Sequence, residues 1–346
     1  MFILCFILCS QAIRHALCGA MGKITLLGQS FGGFCMLSYL SRYSTHMAKG
    51  FFTCGLAPIT KNCQELYTAT YRRMLVRNRR FYRRYPEDIL KVKGIIAHLH
   101  WHTTVKSSPV MLPRGGFLTV RRFLQLGHML GGGSGIDSLH NLLADAWFVY
   151  VEGKPAESIL SEAFLHAIET EQDSFEYAPI YWLMHESIYM NKATIGSQWT
   201  AEQVLTQPEF KDVFDAHQAL ASDDPTTYVN FTGEMVYSWM GEDYARLRPL
   251  QKVAAVLAEK VWDRSLYDLE ALKDVAKTVP CSALVSYDDV YVERTFSEET
   301  AELLGGEDYC KLWVTNEFQH SGLRDDPSRV LETLFKMANN EMTVPS

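Results

Sequence analysis

The sequence of 346 residues predicts an α/β protein, with a parallel sheet whose strands are parted in the chain by one long helical insertion. Three observations carry this expectation. A helix, strand, helix, strand cadence opens the chain. Aromatic and charged helical stretches without a comparable strand fill its middle, and strands alternating with helices return near residue 281. The expected domains are 1–60 for the first part of the sheet core, 61–250 for a helical cap and 251–346 for the second part of the core.

Each element follows from its residues. "SQAIRHALCGAMGK" has helical spacing at Ile13, Ala16 and Leu17, and Gly19 and Gly22 suit its end. "ITLLG" reads as a buried strand and "GGFCMLSYLSRYS" as the helix beside it, while "GFFTCGLAP" at 50–58 is a second buried strand closed by proline. Inside the insertion, "LPRGG" (112–116) and "LGGGSG" (130–135) break the helical pattern. The closing part is expected to hold strands at 281–287 and 309–315, with helices near 297–304 and 327–338.

Composition narrows the classes. With 47% apolar and 21% charged residues the chain is neither disordered nor fibrous, and a net charge of -7 gives no global field for nucleic acid or an anionic membrane. Seven arginines between Arg72 and Arg84 interleave with Phe81 and Tyr82, a pattern that suits single-stranded nucleic acid; the expectation is a solvated helix face paired with acids. The eight cysteines show no C-x-x-C pair and no zinc-like spacing, so buried thiols, a cytoplasmic location, no metal and no cofactor are expected. "MFILCFILC" imitates a secretory apolar region but lacks basic residues before it, and a spanning helix needs about 20 apolar residues. It reads as a buried segment or as misassigned sequence.

Gly28-Gln29-Ser30-Phe31-Gly32 matches G-x-S-x-G, the elbow that holds a nucleophilic serine on a sharp strand-to-helix turn in α/β-hydrolases. The turn is expected to require small residues two before and two after Ser30. In that fold an acid and then a histidine follow the serine in the chain. "ALVSYDDV" ends a strand in two aspartates, of which Asp289 fits a turn beginning at Ser286 and Asp288 is the alternative. "LWVTNEFQHSG" places His320 in the loop after the next strand. The backbone NH of Phe31 is the expected oxyanion donor.

"LLGQSFGGFCMLSYLS", "FTGEMVYSWM", "SYDDVYVERTFS" and "WVTNEFQHSGLRDD" resemble, in this order, segments of the proline iminopeptidases in their larger-subunit branch. The resemblance runs from about residue 10 to the end. It implies an α/β-hydrolase core with an inserted helical cap, a serine aminopeptidase that releases N-terminal proline from peptides, Ser30 as nucleophile, His320 as base and Asp289 as its orienting acid. The substrate's cationic amine calls for carboxylates, and "YWLMHESIY" with "FTGEMVYSWM" nominates Glu186 and Glu234 for it. Phe175, Tyr181, Tyr237 and Trp239 are candidates for an apolar wall around the proline ring.

Members of that family also carry His-Gly-Gly-Pro-Gly and Asp-Gln-Arg-Gly turns before the elbow, and neither occurs in this sequence. The expectation is therefore a sheet lacking its first strands, from an incomplete gene model or a degraded copy, and a chain that is unstable or inactive as written. Two other readings stay open: an esterase or lipase on the same core, and a non-catalytic remnant.

Overall fold

Four strands form one parallel sheet in the order β1 (Ile24–Gln29), β2 (Met47–Thr53), β3 (Cys281–Ser286) and β4 (Cys310–Thr315). The computed structural model describes residues 2–275 and 278–342, so Met1 of the "MFILCFILC" stretch lies outside them. The register pairs Leu27 with Phe51, Phe52 with Ala283, and Val285 with Val314. Parallel pairing needs crossovers, and α2 (Phe31–Tyr43) makes the first between β1 and β2. All four strands therefore end on one side, where the loops that follow them gather.

Strand alternation explains the two layers around the sheet. Phe51 and Leu284 point to one face and pack with Val330, Leu334 and Ala338 of the last helix, Pro327–Ala338. Phe52, Ala283 and Val285 point to the other and pack with Phe34, Leu37 and Leu40 of α2 and with Ala301. Burying each of Leu37 and Leu40 fully contributes about 1.5–3 kcal/mol relative to exposure. The central strand β3 is buried along its whole length, whereas β1 and β4 are outer strands, with Leu27 43% and Val314 37% exposed.

The opening helix α1 (Phe2–Cys18) exists but turns a different face inward from the one its spacing suggests. Ile3, Ile7 and Arg14 are buried, whereas Ile13 and Leu17 are exposed. The reason is Arg14, whose guanidinium donates to the carbonyls of Gly19 (2.8 Å) and Gly22 (2.6 Å) and to Gln11 Oε1 (3.0 Å), so it closes the helix end from inside. Gln11 Oε1 also accepts from the Tyr39 hydroxyl of α2 at 2.6 Å. Among the described residues no helix is long and apolar enough to cross a membrane.

The chain divides into two compact units. The sheet unit holds Met1–Leu66, Ile188–Thr194 and Trp262–Ser346; the helical unit holds Tyr67–Ser187 and Ile195–Val261. Residues 188–194 return to the sheet unit, where Phe34 meets Tyr189 edge-on (ring centres 6.0 Å). The "LPRGG" break is the turn of a short antiparallel ribbon, Val110–Met111 with Phe117–Leu118, in which Leu112 N–H donates to Gly116 O (2.8 Å).

Within the helical unit the arginine run lies on α3 (Cys63–Arg84). Arg72 grips Glu209 with two nitrogens (2.6 and 2.8 Å), Arg84 pairs with Asp137, and the buried Arg77 donates twice to Leu130 O. Phe81 and Tyr82 are buried among aromatic neighbours, so neither offers a face for stacking a base. The cysteine expectation needs correction. Cys35, Cys54, Cys63, Cys281 and Cys310 are buried, but Cys5, Cys9 and Cys18 are exposed on α1; all eight are free thiols.

Candidate active site

Ser30 stands between β1 and α2 with φ 51° and ψ -125°, a backbone conformation that costs a non-glycine residue about 1–3 kcal/mol. The strain is held by its surroundings: Ser30 N–H donates to Thr53 O (3.0 Å) and its carbonyl accepts from Gly33 N–H (2.8 Å). Although Ser30 occupies the N-cap position of α2, its side chain makes no capping bond. The hydroxyl stands at the N-terminus of α2, beside Phe31, which opens the helix.

Crowding around the turn differs from the G-x-S-x-G rule in one position. A side chain at Gly28 would bring its Cβ within 2.6 Å of Gly33 backbone, as expected. At Gly32 a Cβ meets nothing within 4 Å, whereas at Gly33 it would lie 2.2 Å from Gly55 O. The tight partner of the elbow is therefore Gly33 against Gly55, a contact between the first turn of α2 and the segment after β2 that motif spacing does not reveal. Gly33→Ala is expected to cost about 3 kcal/mol or more in urea unfolding, the top of the overpacking range. Gly32→Ala should be neutral or stabilise by up to about 1 kcal/mol, because alanine favours the helix. Equal costs for the two would show that the packing is misread.

The other two residues of the expected triad come from the neighbouring strand ends. His320 Nδ1 lies 2.8 Å from Asp289 Oδ2. Asp289 is 2% exposed, and its other oxygen accepts from Tyr291 N–H (2.8 Å) and Val292 N–H (3.0 Å), so the carboxylate is aimed by three bonds. Of the two adjacent aspartates, Asp289 is the one bonded to the imidazole, with Asp288 buried next to it. Burial pushes the His320 pKa down, but the charge and hydrogen bond of Asp289, helped by Cys54, overcome this and raise it well above 6.5. Tyr291 meets the imidazole edge-on at 4.7 Å.

Two residues that the sequence does not single out tie this arrangement together. Gln29 Nε2 donates to His320 O (2.9 Å) while Gln29 Oε1 accepts from Thr53 Oγ1 (2.5 Å), so the residue before the serine anchors the histidine loop to the elbow. Cys54 follows β2 with φ 46° and is 3% exposed, and its sulfur lies with His320 and Asp289 in one cluster. Burial pushes its thiol up, against the pull of His320. Neither had a distinguishing signal: one is a variable position of the motif, the other one thiol among eight. A second cluster, Glu87, Asp88 and His140, lies in the helical unit, where Asp88 already binds Lys91 (2.7 Å) and His140 (2.8 Å).

The nominated glutamates both belong to the helical unit. Glu186 is 5% exposed; its Oε1 accepts from Ala201 N–H (3.1 Å) and its Oε2 is buried without a hydrogen-bond partner among the described residues. Burial pushes its carboxyl up to about 7 against the pull of Ser197 and nearby backbone amides. Glu234 is half-buried, and its backbone accepts from the ring of His185, the residue before Glu186, so the two glutamates share one neighbourhood. Burial holds His185 down at about 4, hence uncharged. Tyr237 is buried, stacked on Trp239 at 5.0 Å, and Phe175 meets Tyr181 edge-on at 5.5 Å.

No family model matches the chain. A proline iminopeptidase of Aeromonas sobria is 37% identical over 313 residues, covering 90% of this chain and 66% of that protein. A proline iminopeptidase of Aspergillus aculeatus is 27% identical over 326 residues, covering 92% of this chain and 65% of that one. The chain thus spans just under two thirds of the length of these relatives. A solved α/β-hydrolase from a Medee basin deep-sea metagenome library aligns with 98% of the chain and 72% of its own at 10% identity, with a TM-score of 0.36, too low to carry weight beside the chain's own sheet.

Proposed function

The chain is a relative of the proline iminopeptidases, and on that premise we propose that it acts as a serine aminopeptidase releasing N-terminal proline from peptides. The observation that carries the hydrolase part is the strained Ser30 with an uncommitted hydroxyl, on the same sheet end as the Asp289–His320 pair. In this reading His320 takes the Ser30 proton as the oxygen attacks the prolyl carbonyl, Asp289 holds the imidazole tautomer, and the Phe31 N–H donates to the developing oxyanion. His320 then returns the proton to the leaving amine. Water, activated the same way, frees proline from the acyl-enzyme.

Substrate choice in this reading rests on Glu186 and Glu234. A buried carboxylate oxygen without a partner is an unmet demand for a donor, which a cationic prolyl amine would satisfy and an ester substrate would not. The expected result is hydrolysis of a proline arylamide and none of its N-acetylated counterpart. Because Glu186 ionises near pH 7, KM for the free amine should fall by about tenfold between pH 6 and 8, a charge-assisted bond contributing about 1.5–3 kcal/mol. Glu186→Gln should remove that pH dependence. Equal turnover of both arylamides would refute the amine-binding role. A cytoplasmic location is part of the proposal, since eight free thiols suit a reducing compartment.

A further inference from the structure

We propose that Cys54, Asp289 and His320 form a site for a thiophilic divalent cation, Zn²⁺ or Cd²⁺, whose binding takes the His320 imidazole out of service. A Cys54 sulfur, an Asp289 carboxylate oxygen and a His320 ring nitrogen lie within 4.8 Å of one another. These are the three kinds of protein donor that zinc takes, and a tetrahedral centre with bonds of about 2.0–2.3 Å holds its donors roughly 3.5 Å apart. A contraction of about an ångström closes the cluster, with the fourth position left to water. The donors follow the ends of β2, β3 and β4, three adjacent strands, so the sheet brings them together without a loop having to fold around the ion.

Cys54 is the member that acyl transfer does not use. Its φ of 46° is a conformation in which glycine is unstrained and cysteine is not, so a side chain stands here against the backbone preference. Its thiol donates to Gln319 O (3.9 Å), the residue before His320, and its sulfur lies within 4.8 Å of the His320 and Asp289 donor atoms. His320 keeps 15% of its side chain exposed and offers a way in for an ion, while Asp289 and Cys54 are closed off behind it. On binding, the thiol releases its proton to solvent as the sulfur–metal bond forms, and His320 ligates through Nδ1, the nitrogen that faces Asp289, with its ring proton moved to Nε2, so that the nitrogen that would otherwise accept the Ser30 proton is occupied. No electron changes hands. Hard cations such as Mg²⁺ prefer oxygen donors and are not expected to bind.

The binding part of this proposal is independent of the proline reading; the inhibitory part rests on it, and the test separates them. Because Cys5, Cys9 and Cys18 are exposed thiols, the parent protein for all measurements has these three replaced by serine. Titration with Cd²⁺ is followed by the ultraviolet thiolate-to-cadmium charge-transfer band, which needs no activity. The expected result is a band saturating at one equivalent in the parent. Cys54→Gly, which also relieves the backbone, should weaken binding by about 100-fold or more, since loss of an outer-shell partner alone costs about 10–100-fold. Asp289→Asn should weaken it by at least about tenfold.

In parallel, Zn²⁺ should abolish arylamide turnover in the parent, a chelator should restore it, and Cys54→Gly should keep its own turnover at the Zn²⁺ level that silences the parent. Absence of the band in the parent, or an equal band in Cys54→Gly, overturns the site. A band with the expected variant pattern but equal Zn²⁺ sensitivity of parent and Cys54→Gly overturns the inhibitory role. A protein that shows the band and no arylamide turnover removes the proline reading and leaves the metal site standing.

Discussion

Replacing Ser30 with alanine is expected to lower proline arylamide hydrolysis by about 10⁶-fold, the loss seen when the nucleophile is removed from a serine triad that acts as a unit. Stability should hardly change. The Ser30 side chain makes no capping bond, and alanine keeps the Cβ that the strained turn already accommodates, so only the hydroxyl oxygen is removed. The thermal midpoint should stay within about 1 °C of the parent, which for a chain of this size is under about 1 kcal/mol. A variant that keeps more than a hundredth of parental turnover would mean that another group attacks the substrate.

Asp289→Asn is expected to cost about 10⁴-fold in kcat, for a reason the hydrogen bonds make specific. Asp289 receives two backbone N–H groups on one oxygen and the imidazole on the other. An asparagine there must keep its carbonyl oxygen toward Tyr291 and Val292 N–H, which turns its NH₂ to His320 Nδ1. That nitrogen then has to accept, the ring proton moves to Nε2, and the nitrogen needed as base is occupied. The pH profile should move as well. With Asp289 present, the His320 pKa is held well above 6.5, so the acidic limb of kcat/KM should lie above 6.5, and Asp289→Asn should shift it to lower pH. Stability runs the opposite way. A histidine whose folded pKa is raised contributes fully below its unfolded value and loses that contribution as pH climbs through the folded one. The pair should therefore stabilise the parent relative to Asp289→Asn most below pH 6.5 and least in the alkaline range where activity is highest.

Much of this was legible in the residues. Strand and helix order in the sheet unit follows from apolar runs and their punctuation, which are local properties, and the last helix falls where its period places it, at Pro327–Ala338. The order Ser30, Asp289, His320 is readable because each follows an apolar strand, and parallel strands must end on the same side of a sheet. The buried arginines of both units were less legible. Arg14 and Arg77 are buried although arginine is seldom inside, because each satisfies backbone carbonyls that no sequence pattern announces.

What the sequence by itself determined is the set of local conformations and the chain order of the reactive groups: a serine on a strand-to-helix turn, then acids, then a histidine. Tertiary structure alone decided the choices between neighbours. It selected Asp289 over Asp288 through the bond to His320 Nδ1, moved the tight glycine contact from Gly32 to Gly33 through Gly55, anchored His320 through Gln29, and set Cys54 beside the Asp289–His320 pair. The physical reason is the same in each case. These are contacts between residues 22 to 291 positions apart, and their distances depend on how strands align in the sheet, which no local pattern encodes.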